Sequence, residues 1–144
     1  TFVRPPMQMR VDAHNTAGID LLGVDGIPER VSAGQNLDLA LHWRAVGTMQ
    51  NSYKVSLQLL GRDGRTILAQ DDGIPGGWEH PTTSWQPGDL ILDQRHLQVP
   101  AGSGEQQGLL IVALYDEDTG RRSQWLTGNS LRDYWALRTI DIVR

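Results

Sequence analysis

Apolar residues at every second position constrain this chain more than any other feature. In "LDLALHWRAV" (37–46), Leu37, Leu39, Leu41 and Trp43 share one face, with Asp38, Ala40, His42 and Arg44 on the other. "YKVSLQLL" (53–60) sets Tyr53, Val55, Leu57 and Leu59 against Lys54, Ser56 and Gln58, and "MQMRVDA" (7–13) sets Met7, Met9 and Val11 against Gln8, Arg10 and Asp12. A period of two matches a pleated strand with one dry face; a helix would scatter the same residues around its circumference. The chain is therefore expected to be nearly all β.

Other segments fill in the pattern. "GIDLLGVDGI" (18–27) and "TILAQDD" (66–72) read as strands ended by Gly, Pro or Asp, and "WALRTIDIV" (135–143) as a last strand with a phase switch. "GLLIVALYD" (108–116) is apolar on both faces and is expected in the middle of a sheet with cover on each side. In "ILDQRHLQV" (91–99) the apolar parity changes, which predicts a bulge near Gln94. One short helix is expected at "NSLRDYW" (129–135), where Ser130 and Asp133 are spaced like a capping box.

"GRDGR" (61–65) is a hairpin turn between 53–60 and 66–72, and "DEDTGR" (116–121) a second one leading to a short strand at 121–126. The longer connection 73–90 is expected to cross between sheets. Together these predict a single domain over 1–144. Its fold class is a two-sheet antiparallel β-sandwich, immunoglobulin-like or carbohydrate-binding-module-like. The chain opens at Thr1 without an initiator Met, which predicts a fragment of something longer.

Charge and composition remove whole classes of function. Thirteen basic against seventeen acidic residues, with Lys54 the one lysine, leave no track for phosphates, so nucleic acid is not an expected partner. There are no cysteines for disulfides, thiolate metal sites or thiol nucleophiles. No apolar stretch approaches the length of a membrane span, and no signal peptide is visible.

Several phrases in order carry a resemblance: "IDLLGVDG" (19–26), "VSAGQNLDLALHWRA" (31–45), "YKVSLQLLGRDGR" (53–65), "PTTSWQPGDLILDQRHLQVP" (81–100), "GLLIVALYDEDTGRR" (108–122) and "LRTIDIV" (137–143). They resemble the C-terminal β-sandwich domain of bacterial polytopic membrane glycosyltransferase-like proteins. These are of the dolichyl-phosphate-mannose-protein mannosyltransferase and aminoarabinose transferase type. The resemblance runs from Ile19 to Val143, with its most specific parts at Pro81-Thr82-Thr83-Ser84-Trp85 and Leu114-Tyr115-Asp116. It implies an extracytoplasmic location, tethered to the membrane through an N-terminal portion, with the parent membrane-embedded domain as partner. It transfers no catalytic residue, because the transferase chemistry belongs to the membrane portion.

The stretch "GGWEHPTTSWQPGD" (76–89) is the leading binding candidate. Trp78, with Glu79 and His80 beside it, is a candidate sugar-stacking group, and Trp125 a second; aromatics with adjacent polar groups hold the apolar faces of sugars. Trp85, between Pro-Thr-Thr-Ser and Pro-Gly, is expected instead as a buried lid on the sandwich end.

Asp116, Asp118 and Thr119 offer oxygens to a cation but lack an EF-hand's spacing, and a hairpin turn explains them without metal. Asp71 and Asp72 are read as solvating a strand end. His42 and His96 are placed on strands at outward or irregular parity, and His14 in a turn. None belongs to a catalytic signature, and no cofactor motif is present. The expected function is a non-catalytic accessory domain contacting protein or glycan. The alternatives are a carbohydrate-binding module and a glycoside-acting enzyme using paired carboxylates.

Overall fold

A computed structural model describes residues 8–77 and 80–144. The alternating segments form two packed sheets of a β-sandwich. In chain order the strands are β1 (Met9–Asn15), β2 (Ile19–Asp25), β3 (Arg30–Ser32), β4 (Asn36–Ala45), β5 (Tyr53–Leu60), β6 (Ile67–Gly73) and β7 (Leu90–Gln98). They continue with β8 (Gln106–Asp116), β9 (Trp125–Thr127), β10 (Ser130–Arg132) and β11 (Trp135–Val143). One sheet has the order β10-β9-β1-β2-β4-β7 and the other β3-β11-β8-β5-β6. Pairing is antiparallel except between β3 and β11, which run parallel.

The inward rows dictate this arrangement. Leu37, Leu39, Leu41 and Trp43 on β4 face Val55, Leu57 and Leu59 on β5 and Leu110, Val112 and Leu114 on β8, all of them buried. Each residue of such a row removes roughly 1.5–3 kcal/mol worth of apolar surface from water. β8 takes the middle of its sheet, as its two-faced apolarity predicts, and even its outward Ile111 and Ala113 are covered. β6 pairs with β5 through the 61–65 turn, and the chain then crosses to β7 in the other sheet.

Four expectations are corrected. No bulge occurs at Gln94: β7 pairs with β4 in continuous register from Leu90 to Gln98. Its inward row is Ile91, Asp93, Arg95 and Leu97, while Leu90 and Leu92 point outward and are exposed. The segment 129–135 is not a helix but strand β10 and the start of β11. Ser130 hydrogen-bonds Thr127 across the β9–β10 turn instead of capping anything.

The chain after 116–121 makes one bridge, Tyr115 to Arg122, and then passes to the other sheet as β9 rather than extending the hairpin. His14 lies within β1, opposite Asp20, rather than in a turn.

The 61–65 turn carries a pH signature. Asp63 accepts from the Thr66 hydroxyl and from the backbone N–H groups of Arg65 and Thr66, which hold its carboxyl at about 2 against an ordinary 3.8. Asp25 is also lowered, first by the backbone N–H of Gln8 and then by His42. A carboxyl depressed in the folded state adds stability above its unfolded value and loses it as pH falls through the folded one. Thermal midpoints are thus expected to hold steady down to about pH 4 and to drop between about pH 4 and pH 2. Asp63→Asn, which removes one of these titrations, flattens that decline; an unchanged slope contradicts the assignment.

Candidate functional site

The two charged residues that point inward on β7 organise the site. Burying a charge is costly unless it is paired and hydrogen-bonded. Here Asp93 and Arg95 are 2% and 3% exposed. Arg95 Nε donates to both carboxylate oxygens of Asp93 at 3.0 Å. Asp93 also accepts from Trp43 Nε1 and from the backbone N–H of Gly76, each at 3.0 Å. Arg95 Nη2 donates to the carbonyl of Gly73 at 2.9 Å, and the backbone N–H of His96 donates to Asp71 Oδ2 at 3.0 Å. β6 and β7 are the edge strands of opposite sheets, and these contacts stitch the two edges together without a shared ladder.

Above the stitching lies an open cleft of about 680 Å³. Asp71, Asp72 and Gly73 of β6 form one wall, Leu92, Gln94 and Arg95 of β7 the other, and Lys54 and Glu117 close one end. A second depression of about 360 Å³ adjoins it and contains His80, Ser84, Trp85 and Asp89. Gly76 and Leu92 line both. Gly76 is required where it stands: its φ is 77°, and a Cβ there would meet Ile91 Cγ2 at 2.5 Å.

Asp72 joins the cleft to the outer face of its sheet. Ser56 donates to its Oδ1 at 2.8 Å and the Tyr115 hydroxyl to its Oδ2 at 3.1 Å. Burial first, then the Asp72 charge, push the Tyr115 hydroxyl up, which keeps it a donor.

The binding candidates separate sharply. Trp78 and Glu79 lie outside the described residues. His80 is exposed in the second depression, and its carbonyl accepts from Trp85 Nε1 at 3.0 Å. Trp85 is 2% exposed and closes the core as a lid. Trp125 is corrected: it is fully buried and presents no ring to a ligand. The pairing of β9 with β1, Trp125 opposite Asn15, turns its indole inward between Trp43 and Trp135, with ring centroids 6.2 and 6.3 Å away.

Asp116 Oδ1 takes the N–H groups of Asp118 and Thr119, so that carboxylate serves its own turn. The outward histidines are each tied to an aspartate: His14 to Asp20, His42 to Asp25, and His96 to Asp38.

Sequence reasoning missed Asp93, Arg95 and the contacts of Asp71. One signal was available: Asp93 and Arg95 share the parity of Leu97 and Val99, which are buried. Alternating charged residues in a strand normally mean solvent, and that prior concealed an inward ion pair.

No protein-family model and no curated protein sequence matches this chain. Among solved structures it is similar to the C-terminal domain of wzt, with a TM-score of 0.61 and 10% sequence identity over 96% of this chain and 83% of that one. At that identity the likeness is one of fold, a β-sandwich.

Proposed function

We propose that this sandwich is a non-catalytic glycan-binding accessory domain and that the cleft between β6 and β7 holds the glycan. The observation that carries this reading is the buried Asp93–Arg95 pair, which fixes the cleft walls before any ligand arrives. Sugar hydroxyls are bound by donors and acceptors held at set positions. The carboxylates of Asp71 and Glu117, the Gln94 amide and the cations of Lys54 and Arg95 supply both kinds in one groove. Leu92, 52% exposed at its rim, gives an apolar wall for the C–H face of a pyranose.

The glycosidase reading asks for one carboxyl free to protonate a leaving group and a second free to attack or to activate water. Asp93 and Asp72 accept hydrogen bonds at both oxygens already, and Glu117 faces Lys54 at 3.6 Å. Binding is the better use of such groups.

The sequence resemblance supports the wider setting: attachment to a membrane glycosyltransferase-like protein, on the extracytoplasmic side. One feature favours a second reading, docking against the parent domain. Leu90, Leu92 and Val46 are 39%, 52% and 55% exposed at the same margin of the sheet.

Calorimetric titration of the chain with neutral polysaccharides separates the two readings. Saturable binding, weakened by Gln94→Ala, is expected; silence across a broad glycan panel by a folded protein overturns the glycan reading and leaves docking.

A further inference from the structure

We infer that Arg95 and Asp71 together read a vicinal diol, so that the cleft selects glycans carrying adjacent unsubstituted hydroxyls. This rests on the glycan reading above and adds its specificity. Arg95 has its Nε and Nη2 engaged, by Asp93 and by the Gly73 carbonyl. Its Nη1 donates no hydrogen bond among the described residues and stands 3.8 Å from Asp71 Oδ1, too far for a hydrogen bond of their own. Asp71 Oδ2 is taken by the backbone N–H of His96, and Oδ1 accepts no hydrogen bond among the described residues. A donor and an acceptor therefore sit side by side on opposite walls of the cleft, each with capacity left.

A vicinal diol complements that pair. One hydroxyl oxygen accepts from Nη1, while its neighbour donates to Oδ1. An isolated hydroxyl can satisfy one partner but not both at ideal geometry. The guanidinium is fixed before binding, because three of its contacts are to groups that do not move with the ligand, so little side-chain freedom is lost. Both contacts are charge-assisted, and Arg95 is almost fully enclosed, which sharpens discrimination against ligands that leave the pair unmatched. Gly73 keeps the approach open: a Cβ there would lie 3.2 Å from Nη1.

The test uses the 144-residue chain and three neutral probes: dextran, a 1,4-linked mannan and a 1,3-linked glucan. Each is used before and after periodate cleavage with borohydride reduction. Interior residues of the 1,3-linked glucan have no vicinal diol and survive periodate, so it is the built-in control.

Dextran or mannan is expected to bind and to lose about tenfold or more in affinity after oxidation, with the 1,3-linked glucan weak throughout. Asp71→Asn, which replaces one acceptor by a donor, is expected to weaken binding of the unoxidised probe by a similar factor in a protein that circular dichroism shows to be folded. Glu29→Gln, on an exposed side chain beside β3 at the opposite edge of the sheet from the cleft, is expected to change that binding less than about twofold.

Equal binding of native and oxidised probes, tight binding of the 1,3-linked glucan, or an Asp71→Asn variant that binds like the parent overturns the diol inference while the glycan reading stands. No binding to any of these probes, before or after oxidation, overturns the diol inference, and silence that extends across a broad glycan panel overturns the glycan reading with it. The oxidation series needs no variant, so it decides even if Asp71→Asn fails to fold.

Discussion

Replacing Asp93 by Ala is expected to destabilise the fold by about 3–5 kcal/mol, the usual consequence of breaking one side of a buried ion pair. For a chain of this length that lowers the thermal midpoint by roughly 10 °C or more. The reason is not the lost attraction alone. Asp93 is the acceptor for Arg95 Nε, Trp43 Nε1 and the Gly76 N–H, so its removal leaves the Nε of an enclosed guanidinium, an indole N–H and a backbone N–H without acceptors.

Asp93→Leu combined with Arg95→Met should recover much of the loss, because the apolar pair leaves no charge stranded. Such a double variant should still have no glycan affinity, since Arg95 and the cleft wall are gone. Melting curves of the single and double variants check the stabilities, and calorimetric titration of the double variant checks the lost affinity. A single variant within about 1 kcal/mol of the parent contradicts the clamp.

The second large effect is at Trp125. Trp125→Ala is expected to cost about 3–5 kcal/mol, the range for emptying a large aromatic from a core. The informative comparison is with Phe. Among the described residues Trp125 Nε1 is buried with no acceptor, whereas Trp43 Nε1 donates to Asp93. Trp125→Phe forfeits no hydrogen bond and should be the milder change, while Trp43→Phe forfeits one and unsettles the clamp. Chemical denaturation of the four proteins tests the order. Trp125→Phe should also leave glycan affinity unchanged, because the ring is enclosed. Loss of binding at retained stability would restore Trp125 as a contact residue.

What the sequence revealed and what it hid follow from one physical rule. Strands β4, β5 and β8 declare themselves because burial writes period two, or unbroken apolarity, directly into the residues. β7 misleads because its inward row carries Asp93 and Arg95 where Leu or Val is usual, and its outward row carries Leu90 and Leu92. The apolar parity of the sequence switches midway, from Leu90 and Leu92 to Leu97 and Val99, and a bulge is the economical reading of that switch. Only tertiary partners from β4, β6 and the 74–77 bend reveal that the charges are satisfied inside.

The missed strand β10 has the same origin. Ser130 and Asp133 have capping-box spacing, yet their segment has no apolar stripe to bury as a helix, and pairing with β9 decides its conformation. Trp125 reads equally well as a platform or as core, since an aromatic in a short strand has no parity run around it. Of the 76–89 stretch, Gly76 lines the proposed groove and His80 the depression beside it, while the edge strands that wall the groove did not announce themselves.

The most direct measurement of the central claim is a two-dimensional amide NMR titration with the glycan that binds tightest. The groove account places the largest shifts on the backbone amides of Gly73, Gly76, Gln94 and Arg95, with little change on β1 and β9. Shifts concentrated on the β9–β10 hairpin or on the outer face of either sheet, with the β6–β7 edge silent, contradict it.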